Sequence, residues 1–196
     1  MRINWKIVLF VLLISYGAIQ HFLKRPLLHD GVSIAFTTTQ QLTNQADITL
    51  NGYNINPLQT FTIKARVLSA THYFFDREAD LSPVDLALGW GPMSDDAILK
   101  NIKISQANRF YYWKVNNFFI PRAQIEKNSA NMHMIPANDQ IEKTLKTIKT
   151  GQLVEITGYL VEATAANGWR WKSSLSREDV GAGACELVYV KTISVN

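Results

Sequence analysis

Residues 138–163, NDQIEKTLKTIKTGQLVEITGYLVEA, read as a capped helix, a glycine stop and a long strand. Asn138 offers a side-chain oxygen to the first free amides, Asp139 puts negative charge in the first turn, and Lys146 and Lys149 put positive charge in the last. Ile141, Leu145 and Ile148 recur at helical spacing, so one face is apolar. Gly151 supplies the left-handed residue that ends helices. Beyond it the period falls to two: Val154, Ile156, Gly158 and Leu160 face one way, and Glu155, Thr157 and Tyr159 the other. A helix feeding a strand through a tight turn packs its apolar face on the sheet which that strand joins. The other strands are expected around that sheet.

Upstream, Phe61, Ile63, Ala65 and Val67 alternate with Thr62, Lys64 and Arg66, the pattern of a half-buried strand. Ser82-Pro83-Val84-Asp85 predicts a helix start, with Leu81 and Leu86 as its hydrophobic staple. Gly89-Trp90-Gly91-Pro92 breaks that helix, and Ser94 with Asp95 and Asp96 starts a second. Lys103–Val115 is expected as one strand, because Phe110 to Val115 is aromatic and β-prone. Pro121 opens a short helical turn, and Met132–Ile135 reads as a short buried strand. Downstream, Asn167-Gly168 is a hairpin turn, residues 173–184 form a loop, and Cys185–Ile193 makes the last strand.

The chain of 196 residues carries a formal charge of +4. Arg2, Lys6, Lys24 and Arg25 account for it: from residue 26 onward 20 − 4 = 16 bases meet 16 acids. The excess therefore flanks residues 7–23, IVLFVLLISYGAIQHFL, which hold no charge. Seventeen helical residues reach about 26 Å, enough to span a bilayer if the flanking bases snorkel. An uncleaved anchor and a signal peptide cleaved after Gly17 both fit this pattern. The expected division is a membrane anchor over 1–25, a linker and peripheral hairpin over 26–57, with β-compatible runs at Val32–Thr38 and Ile48–Leu50, and a folded domain over 58–196. A short segment before the span favours the domain outside, which in a bacterium means an inner-membrane, single-pass, periplasmic protein. Cys185 is the single cysteine, so no internal disulfide and no multi-cysteine metal site exists.

A helix wedged before the fourth of five principal strands is similar to the OB-fold, a small Greek-key barrel. The fold class expected is α+β: an N-terminal transmembrane helix, then a small OB-like β-barrel with inserted short helices. The segments FDREADLSPVDLALGWGPMSD, SANMHMIPA and WRWKSSLSREDVGAGACELVYV resemble a family of bacterial single-span membrane proteins with one further domain. The resemblance implies no activity, substrate or catalytic residue.

Candidate chemistry is thin. Cys185 with His133 is the one nucleophile–base pairing on offer, and it would make the protein an envelope hydrolase. His72, Asp76, Glu78 and Asp80 offer oxygen and nitrogen ligands, but their spacing matches no cation loop, so neither metal nor cofactor is expected. Phe110, Tyr111, Tyr112, Trp113, Trp169 and Trp171, with Arg109, Arg170 and Lys172, can be a stacking platform, yet a neutral domain outside the cytoplasm argues against nucleic acid. The favoured expectation is a non-enzymatic, membrane-tethered binding or assembly module whose partner is another envelope protein. Its binding residues are expected in two loops: Asp76, Glu78, Asp80 and Trp90 in one, and Arg177, Glu178 and Asp179 in the other.

Overall fold

Alternation of apolar and polar side chains carries a single strand through twenty residues, Tyr53–His72, and the rest of the chain is hung on it. The structure, a computed structural model, describes residues 5–23, 38–176 and 185–196. In chain order the elements are α1 (Trp5–Leu23), β1 (Thr38–Leu42), β2 (Ile48–Leu50), β3 (Tyr53–His72), β4 (Val84–Gly89), α2 (Asp96–Leu99), β5 (Ile102–Ala107) and β6 (Phe110–Val115). Then follow α3 (Arg122–Lys127), β7 (Ser129–Pro136), α4 (Asp139–Thr147), β8 (Leu153–Ala165), β9 (Arg170–Lys172) and β10 (Glu186–Val195).

The stretch from Asn138 onward forms as its local chemistry dictates. Asn138 accepts hydrogen bonds from the amides of Gln140 and Ile141, and Gly151 takes φ of 93° between α4 and β8. Gly158 is a glycine for a different reason. A Cβ there would sit 1.8 Å from the carbonyl oxygen of Tyr189, so β8 and β10 approach too closely for any side chain.

β3 pairs with β4, β4 with β7, β7 with β10, β10 with β8, and β8 again with β3. β7 and β10 run parallel; the other four pairs are antiparallel. Side chains on the inner face form one core: Phe61, Ile63 and Val67 from β3, Leu86 and Leu88 from β4, Met132 and Met134 from β7, Ile156 from β8 and Val188 from β10. Leu145 and Ile148, at the end of α4, join it. Each such side chain removed from water contributes roughly 1.5–3 kcal/mol.

Four expectations are corrected. The chain is mostly sheet with a few short helices, not α+β, and its closed sheet is not the small OB-like barrel. β8 meets β3 over Tyr53–Arg66 and β4 meets it over Arg66–His72, so closure runs through one strand used end to end, with β1 and β2 added along it. Ser82-Pro83-Val84-Asp85 leads into strand β4, not a helix, and all six residues of β4 are buried. Burial on both faces outweighs local helix-start chemistry there. Lys103–Val115 is not a barrel strand but two, β5 and β6, in a separate two-stranded sheet. Asn108 and Arg109 take φ of 51° and 68°, and that left-handed pair folds the segment into a hairpin.

The fourth correction concerns the membrane. Among the described residues no helix is long and apolar enough to cross one. α1 forms, but Gln20 and His21 fall in its last turn, and the uninterrupted uncharged stretch without them runs only from Ile7 to Ile19, about 20 Å of helix against a hydrocarbon core of about 30 Å. The transmembrane segment, and the single-pass, inner-membrane, periplasmic placement drawn from it, are withdrawn. Residues 24–37, with the first part (26–37) of the expected linker and hairpin and nearly all of the run Val32–Thr38, lie outside the described residues.

Candidate functional site

The β5–β6 hairpin lies against the outer face of the sheet, and a buried polar cluster holds it there. The left-handed turn sends Arg109 back over β4. Its Nη1 donates to Asp85 Oδ1 at 3.0 Å and to the Ser82 carbonyl at 2.8 Å, while Nε and Nη2 reach both oxygens of Asp76 at 3.2 and 2.6 Å. The guanidinium stacks 3.6 Å above the Tyr73 ring, and burial, followed by the charge of Asp85, raises the Tyr73 phenol above its ordinary pKa. Asp85 is fully buried, and Asn131 donates to its Oδ2 at 3.4 Å and to the Arg109 carbonyl at 3.0 Å. Gln106 of β5 completes the cluster by donating to Asn131 Oδ1 at 2.6 Å and accepting from Thr71 at 3.1 Å. Apolar packing of Ile104, Tyr111 and Trp113 around Leu68, Ala87, Met93 and Ile125 backs these bonds.

His133 belongs to this cluster. Its Nδ1 lies 2.9 Å from Asp85 Oδ1, outside hydrogen-bond alignment, and its ring sits 4.7 Å from that of Trp171 with a side chain 4% exposed. The structure therefore packs His133 against Asp85 and Trp171. Cys185, half-buried, precedes β10.

The opposite face of the hairpin carries different chemistry. Strand alternation turns Phe110, Tyr112 and Lys114 of β6, and Lys103 and Ser105 of β5, toward solvent. Lys103 and Lys114 are direct cross-strand partners, and neither has an ion pair among the described residues. The rings of Phe110 and Tyr112 stand 6.5 Å apart beside them. At the open end of the hairpin Lys100, Lys103, Lys114, Asn101, Asn116, Asn117 and Phe119 line a cleft of about 540 Å³, with buried Ile102 in its wall and the Phe119 side chain 63% exposed. Residues 97–125 hold five bases and no acid, so nothing in this stretch neutralises the cleft.

The residues expected to bind are placed as follows. Trp90 is 1% exposed and packs in the inner core, so it is no surface anchor. Asp76 is spent on Arg109, and Glu78 and Asp80 sit in a 3-10 turn, Arg77–Asp80, that does not bring them together with His72. His72 turns its Nε2 to the Lys146 carbonyl at 3.1 Å. No group of three or more His, Cys, Asp or Glu among the described residues can hold a metal ion. Arg177, Glu178 and Asp179 lie outside the described residues. The aromatic set divides in three: Phe110 and Tyr112 face solvent, Tyr111 and Trp113 face the sheet, and Trp169 and Trp171 pack on each other and on Tyr53 or His133. A signal for the cleft was present in the sequence, since Lys103 and Lys114 lie equally far from the turn at Asn108-Arg109.

No protein-family description, no curated protein and no solved structure matches this chain.

Proposed function

We propose that this chain is a non-enzymatic binding module that takes an anionic ligand on the solvent face of the β5–β6 hairpin and in the cleft at its open end. One observation carries the reading: Lys103 and Lys114 face each other across the hairpin with no acid beside them. Like charges directly opposite on paired strands destabilise the pair, and a bound anion removes that cost. The buried Arg109–Asp85 cluster supports the same reading, because it fixes the hairpin as a rigid mount for the lysines. The hydrolase reading gains no comparable support. His133, the base it requires, is buried against Trp171 with its Nδ1 2.9 Å from Asp85 but outside hydrogen-bond alignment.

The test is retention of poly-glutamate and of polyphosphate by the purified chain, measured by isothermal titration at low salt. Wild type is expected to bind at least one of them, and the Lys103→Ala/Lys114→Ala variant to bind neither while melting at the same temperature or higher. Equal binding by that variant, or no binding by wild type, overturns the reading.

A further inference from the structure

We infer that the ligand is an extended, acidic segment of a partner protein, laid along β6 with carboxylates between Lys103 and Lys114 and apolar side chains over Phe110 and Tyr112. This inference rests on the hairpin being the binding surface. It adds the class of ligand.

Four features select that class. Charge comes first: the facing lysines and Lys100 line a cleft with no acid in its lining, which calls for an anion. Spacing comes second. An extended peptide shows every other side chain on one face, repeating at about 6.6 Å, and the rings of Phe110 and Tyr112 stand 6.5 Å apart. A chain running beside β6 thus matches ring for side chain and lysine for carboxylate. Third, the rings of Phe110 and Tyr112 add apolar surface beside the lysines that a bare inorganic anion does not use and a peptide side chain does. Fourth, the cationic patch is short. A nucleic-acid strand extending past three lysines meets a chain whose residues from 26 onward balance 16 bases against 16 acids, whereas phosphate-dominated binding draws on about 6–10 contacts. A peptide needs only the local pair. The cleft beside Phe119 then takes the side chain that follows the carboxylates.

The test uses the full chain and three fluorescein-labelled probes followed by anisotropy: the peptide Val-Thr-Val-Thr-Glu-Thr-Glu, the same peptide with Lys at both Glu positions, and a single-stranded oligonucleotide of twelve thymidines. The Glu probe is expected to bind and the Lys probe to bind about ten-fold or more weakly, a discrimination that rising salt erodes. Charge reversal with Lys103→Glu/Lys114→Glu is expected to invert the preference of the two peptides. Phe110→Ser/Tyr112→Ser is expected to weaken the Glu probe about five-fold or more while leaving its salt dependence alone. All these positions are exposed, so a melting curve checks that the variants stay folded. Equal binding of the Glu and Lys probes overturns the inference, and so does an oligonucleotide that binds more tightly than the Glu probe and is lost with the same lysines. The second result leaves the proposed anion-binding surface standing; the first leaves it standing only if poly-glutamate or polyphosphate is still retained and is lost in Lys103→Ala/Lys114→Ala. If no probe binds, and poly-glutamate and polyphosphate are not retained either, both fall.

Discussion

Replacing Arg109 with Ala removes the cation that, among the described residues, bridges the hairpin to the fully buried carboxylate of Asp85. The Asp76 contact contributes less, since that side chain is 38% exposed and solvent screens it. The Asp85 contact is the costly one. At 3.0 Å and an effective dielectric of about 20, attraction amounts to about 5 kcal/mol, and deleting one partner of a buried pair typically costs about 3–5 kcal/mol. Asn131 still donates to Asp85 in the variant, which places the expected loss near the lower end, about 3 kcal/mol. Urea unfolding followed by tryptophan fluorescence measures it, and a cycle with Asp85→Asn separates the pair from its surroundings. The double variant should lose about 1.5 kcal/mol or more less than the sum of the single losses. A coupling within about 0.5 kcal/mol of zero would refute the argument that this ion pair mounts the hairpin. Amide exchange gives an independent reading: in Arg109→Ala the amides of β5 and β6 should exchange well before those of β8.

Three further outcomes follow from burial and close contact. Trp90→Ala empties a large site in the inner core and should cost about 3–5 kcal/mol in urea unfolding, whereas a surface Trp would cost almost nothing. Gly158→Ala forces a methyl group onto the Tyr189 carbonyl and should lower the melting temperature by roughly 10 °C or more. The Tyr111 phenol donates to Ser129 at 3.2 Å, and burial pushes its pKa up to about 12 from 10.0. Between pH 10 and 12 the unfolded chain releases this proton while the folded chain keeps it. Stability is therefore fully present below pH 10 and falls as pH rises through 12, by up to about 3 kcal/mol, and Tyr111→Phe should flatten that alkaline slope.

Legibility in the sequence tracked the range of the forces involved. Asn138, Gly151 and Asn167-Gly168 act on their own neighbours within a few residues, and α4, β8 and the β8–β9 hairpin came out where those residues put them. β4 is not legible locally, because its sequence offers helix-start chemistry while the partners of Asp85 are far away: Arg109 lies 24 residues on and Asn131 lies 46. Nothing short of the tertiary pairing says that Asp85 is buried. The β5–β6 turn carries no local signature, because Asn108-Arg109 lacks the glycine that usually marks a left-handed pair. The lysine cleft is diluted in the sequence, because the basic stretch from Lys100 to Lys149 also holds Glu126, Asp139 and Glu142, which belong to other elements.

β10 lies between β7 and β8, hydrogen-bonded to both, and it is the last of the described strands to be synthesised. Until residues 186–195 leave the ribosome, β7 and β8 each present a bare edge and the inner core lacks Val188 and Val190. The nascent chain therefore cannot mature strand by strand. It must be kept from pairing with other molecules until synthesis has passed β10, and a ribosome stalled before residue 186 would leave an aggregation-prone fragment instead of a smaller folded one.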